Sequence, residues 1–202
     1  MDDESYVCTF IQEPPLAMYD VGVGGKSEWK TFLSRYPSMK LFGCEPHAGQ
    51  YQSLMADGFP GTLLNAAIGA MPGKVKLHAA DEPMWSSLFK TSVAKEERCV
   101  HCLTLDDFDE RAGKPDQILL WMDIEGSELV ALESGLRLLK SGRVVWINVE
   151  TRDQPPCDGW CDAVSVRNLL NDHGYVKAAD YNKHPTHRDE IYVLPKSLPM
   201  TA

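Results

Sequence analysis

Three carboxylates close on one glycine in the stretch Ile118-Leu119-Leu120-Trp121-Met122-Asp123-Ile124-Glu125-Gly126-Ser127-Glu128. The apolar run before them reads as a buried strand, which would deliver Asp123 and Glu125 to its carboxyl end. Ligands of an open parallel sheet bind in the crevice outside those ends, so the acids fall where chemistry is done. Carboxylates there can act as a general base or offer oxygen ligands to a hard divalent cation. An acidic helix start accounts for Glu128, because the helix dipole favours it, but not for all three acids. Asp123 and Glu125 are therefore the candidate catalytic pair, with Glu150, at the end of the next apolar run, as a further candidate. Solvated carboxylates persist at strand ends without an ion, and no metal is assigned.

A second acid set lies upstream. Tyr19-Asp20-Val21-Gly22-Val23-Gly24-Gly25 puts an acid just before a glycine turn, where missing side chains let a ligand lie against the backbone. Glu45 ends the next strand, at the position from which an acid bonds ribose hydroxyls in nucleotide-binding folds. A nicotinamide cofactor would want G-x-G-x-x-G, but the third glycine is Ser27 here. Asp20 also suits a cationic ligand better than a pyrophosphate. S-adenosylmethionine has the matching charges: an ammonium, a sulfonium and a ribose diol, with no phosphate. An NAD-dependent oxidoreductase and a cofactor-binding module without turnover remain the rival readings.

Short apolar runs alternate with helix-period segments along the chain, the pattern of a parallel sheet wrapped by helices. Strands are expected at 16–21, 39–44, 62–68, 118–124 and 143–150, with shorter ones at 174–178 and 190–194. Ser27 is placed to cap a helix carrying Trp29, Phe32, Leu33 and Tyr36, which Pro37 stops. A second helix carries Tyr51, Leu54 and Met55 and ends at Gly58. Others are expected over 127–140, ended by Gly142, and over 163–172. Pro72-Gly73 reads as a turn into the alternating strand Val75-Lys76-Leu77-His78. The segment 81–95 reads as a mobile loop over the site. No repeat or linker interrupts the pattern, and residues 1–202 are read as one domain.

The 202 residues, 44% hydrophobic, suffice for one well-buried core, and the net charge of -9 argues against nucleic acid as a partner. No apolar stretch reaches the roughly 18 residues of a membrane span, and the acidic Met1-Asp2-Asp3-Glu4 is unlike a signal peptide, so a cytoplasmic location is expected. The six cysteines read as reduced thiols. Cys99-x-x-Cys102 and Cys157-x-x-x-Cys161 have zinc-ligand spacing, but Cys99 and Cys102 lie in a strand-like segment where positions three apart face opposite ways. His47 could face the crevice, and His184 and His187 fall in a polar segment that could close over an acceptor. Trp121 and Trp146 read as core, whereas Trp85, beside Ser86-Ser87, could flank a substrate.

The ordered set Asp20-Val21-Gly22, Glu45-Pro46, Asn65-Ala66-Ala67-Ile68-Gly69 with Gly73, Leu103-Thr104-Leu105-Asp106-Asp107-Phe108, Asp123-Ile124-Glu125-Gly126-Ser127-Glu128 and Val149-Glu150 resembles the FkbM-like family of S-adenosylmethionine-dependent methyltransferases. The resemblance runs from Tyr19 to about Glu150 and, more faintly, through Gly174-Tyr175. It implies a Rossmann-like class I methyltransferase fold: a seven-stranded, mostly parallel sheet with helices on both faces and an antiparallel C-terminal hairpin. It also implies that Asp20, Gly22 and Gly24, with Val23 beside them, line the methionine end of the cofactor. Glu45, with Pro46, would hold the ribose, and Ala67 and Ile68 would lie near the adenine. The chain has Lys26 where the family usually has glycine, and Trp121-Met122 where it usually has a lysine. The implied reaction is O-methylation of a carbohydrate or small-molecule hydroxyl, with no nucleic acid or membrane partner and no indication of oligomeric state.

Overall fold

Ile118 to Met122 has no polar side chain to turn outward, and in the computed structural model it forms a strand buried at every position. The structure describes residues 3–11, 13–25, 28–184 and 186–195; Lys26 and the expected helix cap Ser27 lie outside them. In chain order the elements are α1 (Asp3–Cys8), β1 (Ala17–Val21), α2 (Glu28–Arg35), β2 (Lys40–Cys44), α3 (Ala48–Ala56), β3 (Thr62–Leu64), β4 (Ala67–Ile68) and β5 (Gly73–Ala80). There follow a 3-10 turn (Pro83–Trp85), β6 (Ala94–Leu103), α4 (Leu105–Arg111), β7 (Ile118–Met122), α5 (Glu128–Glu133) and α6 (Leu136–Lys140). The chain continues through β8 (Val144–Thr151), α7 (Ala163–Asp172), β9 (Val176–His184) and β10 (His187–Val193).

Seven strands form one sheet in the order β3-β2-β1-β7-β8-β10-β9. Its first five strands are mutually parallel, and β10 runs antiparallel to both β8 and β9. Strand order reverses between β1 and β7, the switch point where a crevice opens beyond the carboxyl ends. Side chains of β1 alternate between two cores. Ala17, Tyr19 and Val21 pack with Leu105, Phe108, Leu132 and Leu170 from α4, α5 and α7. On the other face Met18 joins Phe32 of α2, Leu54 of α3 and Trp121. Trp121 stacks edge-on against Phe32 at 5.5 Å, so an apolar ring occupies the strand position two residues before Asp123. Trp146 is equally core.

Three expectations need correction. The run 62–68 is two strands, because Asn65 turns away from the sheet edge and its amide donates to Glu45 O at 2.8 Å and Pro46 O at 3.3 Å. β4 then pairs with β6 in a separate three-stranded sheet, β4-β6-β5. The helix expected over 127–140 breaks at Gly135, where Leu105 packs so closely that a Cβ would meet its side chain at 2.7 Å. Asp106 caps the second half, accepting from Arg137 N at 3.3 Å and Leu138 N at 2.9 Å. Finally, His184 ends β9 and His187 opens β10, so the C-terminal histidines belong to a hairpin and not to a polar loop. No helix among the described residues is long and apolar enough to cross a membrane.

Candidate active site

The turns after β1, β2 and β7 are stitched together by backbone hydrogen bonds. Gly22 N and Val23 N both donate to Cys44 O, at 3.1 and 3.2 Å, and Asp123 N donates to Val21 O at 3.1 Å. Gly22 has φ +87, and a Cβ there would meet Asp123 O at 2.2 Å, so only glycine lets the two strand ends approach. Glu45 ties the glycine turn down: one carboxylate oxygen accepts from Gly24 N at 2.8 Å and the other from His47 N at 2.6 Å. Burial pushes the Glu45 carboxyl above its ordinary pKa, against those two hydrogen bonds. Each oxygen keeps a second lone pair for a ligand hydroxyl.

These turns border a cavity. Its lining holds Gly22, Val23 and Gly24 with Glu45 and Pro46, the apolar Ala67, Ile68, Leu77 and Leu88, and the acids Asp123 and Glu125. Asp20 is not on the lining; it sits buried just behind the turn. The segment expected to be a mobile loop forms a wall, contributing Pro83, Met84, Ser86 and Leu88. It is anchored, since Ser87 pairs with His78 through the backbone and Ser87 Oγ donates to Glu125 O at 2.7 Å.

Glu128 is fully buried and serves the turn itself, accepting from Ile124 N at 3.0 Å and Gly126 N at 3.3 Å. Asp123, Glu125 and Glu150 converge, with oxygens all within 4.8 Å of one another, close enough to share a hard cation. Arg152 supplies a positive charge to two of them, 2.9 Å from Glu150 and 3.6 Å from Glu125. Burial, then Asp123 and the other neighbouring carboxylates, pushes Glu150 up to about 9. Arg152 was missed in the sequence, although it lies two residues beyond Glu150 and so on the same side of the chain.

His47 does not line the cavity: its Nδ1 accepts from Gln50 N at 3.3 Å, capping α3, and its Nε2 faces Arg98 at 2.8 Å. Cys99 is exposed and Cys102 buried on opposite faces of β6, while buried Cys161 donates to Glu128 at 3.3 Å.

A seven-stranded sheet with this switch point, a glycine turn, and acids at the ends of β1, β2 and β7 defines a class I S-adenosylmethionine-dependent methyltransferase. More narrowly, residues 21–177 match the methyltransferase FkbM domain, and the chain belongs to that family. It is 23% identical over 183 residues to the 2-O-methyltransferase NoeI of Sinorhizobium fredii, covering 81% of this chain and 74% of that protein. Among solved structures, precorrin-6y C5,15-methyltransferase from Geobacter metallireducens superposes with a TM-score of 0.51 at 14% identity, over 94% of this chain and 86% of that one. A protein of unknown function from Listeria monocytogenes gives 0.54 at 12% identity, over 100% of this chain and 70% of that one. At such identities these two likenesses speak for the fold alone.

Proposed function

We propose that the chain methylates a hydroxyl of a carbohydrate or other small-molecule acceptor, using S-adenosylmethionine. The observation that carries this reading is that Asp123 and Glu125 stand on the lining of the same cavity as Glu45. The lining suits the cofactor: Ala67, Ile68 and Leu77 offer apolar contacts for a purine, Glu45 can accept from a ribose diol, and the cationic tail calls for negative charge nearby. Asp20, buried behind Gly22, would add its charge from below. The 2-O specificity in the name of the Sinorhizobium relative supports oxygen as the methylated atom.

When bound, S-adenosylmethionine supplies a methyl carbon on a positively charged sulfur, which leaves as a neutral thioether as the new C–O bond forms. The hydroxyl proton must go elsewhere, and a carboxylate within hydrogen-bond reach takes it. Asp123 and Glu125 line the cavity while Glu150 does not, which makes those two the candidates for that role. The walls do the remainder by positioning the reactants and excluding water, which supplies much of the acceleration in such transfers.

Calorimetric titration with S-adenosylmethionine, S-adenosylhomocysteine and NAD tests the reading. Saturable binding of the two sulfur nucleosides, not NAD, is expected, and a chelator should leave it unchanged. Asp20→Ala and Glu45→Ala should each weaken it while the protein stays folded; unchanged affinity in both would reject the pocket assignment. Asp123→Asn should lower turnover by about 10²- to 10⁴-fold with cofactor affinity little altered. Equal loss of both would move Asp123 to a binding role.

A further inference from the structure

A second cleft shares Met84 and Glu125 with the proposed cofactor cavity and adds Glu150 and Arg152 to its lining. A molecule seated there would meet Glu125 and Glu150 beside the adenosine pocket, where an acceptor has to lie. We propose that this cleft is the acceptor subsite, that Trp85 is its stacking platform, and that it takes an uncharged, polyhydroxylated ring such as a glycoside. The proposal rests on the methyltransferase reading above and adds the acceptor's class and the residue that selects it.

Two tryptophans line the cleft, and they are differently engaged. Trp160 packs on Gly126, whose Cβ would meet the indole at 2.2 Å, and the Arg152 guanidinium lies over its ring at 4.8 Å. Trp85, on the 3-10 turn, is 51% exposed and offers apolar surface to whatever enters. An indole face accepts the C–H side of a ring, while carboxylates accept from its hydroxyls. Glu150 and Glu125 supply those acceptors on the same lining.

Charge decides against an anionic acceptor. Arg152 is engaged by Glu150 and Glu125, and Asp123 adds a third carboxylate within 4.8 Å of both. Even with Glu150 protonated, two carboxylates outnumber the guanidinium, so a phosphate would meet net repulsion. Val93 and Pro156 add apolar wall, and His187, the other lining residue able to carry positive charge, would bring the cations at most level with Asp123 and Glu125, so an anion gains no net attraction.

The test uses protein saturated with S-adenosylhomocysteine. It is titrated with methyl α-glycosides of glucose, fucose and rhamnose, and with glucose 6-phosphate, followed by saturation-transfer NMR. At least one neutral glycoside should bind. Trp85→Ala should weaken it about tenfold or more and Trp85→Phe far less, with S-adenosylhomocysteine affinity unchanged in both. No neutral glycoside bound, binding indifferent to Trp85→Ala, or preference for the phosphate would overturn the proposal. Failure of S-adenosylhomocysteine itself to bind would instead overturn the methyltransferase reading on which it stands.

Discussion

Glu150 shows how one side chain can record the cost of an active site in the stability of the whole protein. Its carboxyl is pushed from 4.5 to about 9 by burial and by Asp123, Glu125 and Glu128, with Arg152 opposing. Between those two values the native protein holds a proton that the unfolded chain has released. Stability is then highest below about pH 4.5 for this group and falls as pH rises toward 9. Glu45 and Glu128, also raised by burial, add to the same slope. Glu150→Gln mimics the protonated form and should flatten the loss of melting temperature between pH 5 and pH 9, though not abolish it. Identical losses in the variant and the parent protein would show that Glu150 is not desolvated in the way its position implies.

Elements read well from the sequence wherever the signal was local. The all-apolar run of β7 and the glycine turn after β1 needed no tertiary information, and Asp123, Glu125 and Glu45 were placed on one site because strand ends collect there. The misread elements depend on partners distant in sequence. The break at Gly135 is enforced by Leu105 and capped by Asp106, side chains about thirty residues upstream, which no periodicity could reveal. Asp106→Ala should therefore cost about 0.5–2 kcal/mol, read from denaturant unfolding, by uncapping α6. Arg152 pairs locally with Glu150, but its second partner, Glu125, comes within reach only once β7 and β8 lie side by side. Gly126 joins these scales: with φ +95 and Trp160 against it, Gly126→Ala is strained twice over. It should destabilise the protein by about 1–3 kcal/mol and displace the Trp160 wall. A melting temperature equal to the parent's would show that the 152–162 segment is free to move aside.

At the scale of the molecule, the cavity proposed to hold the cofactor lies between two sheets. The large sheet contributes Gly22, Glu45 and Asp123, and the small sheet contributes Ala67, Ile68 and Leu77. A ligand filling it would bridge both, so its binding should stabilise the fold as a unit and not one wall alone. At a free concentration a hundredfold above Kd, linkage gives about 2.7 kcal/mol. For a chain of 202 residues each kcal/mol raises Tm by about 2–4 °C, so S-adenosylhomocysteine should shift melting upward by roughly 5–11 °C. NAD at the same concentration should produce no comparable shift, because its pyrophosphate would meet the acids of the site with no glycine cradle to offset them. Amide exchange should slow in β4 and β5 as well as after β1, since those strands form the opposite wall. Protection confined to the glycine turn and β2 would mean that the nucleoside rests on the large sheet alone, and that the three-stranded sheet shapes the cavity without gripping its contents.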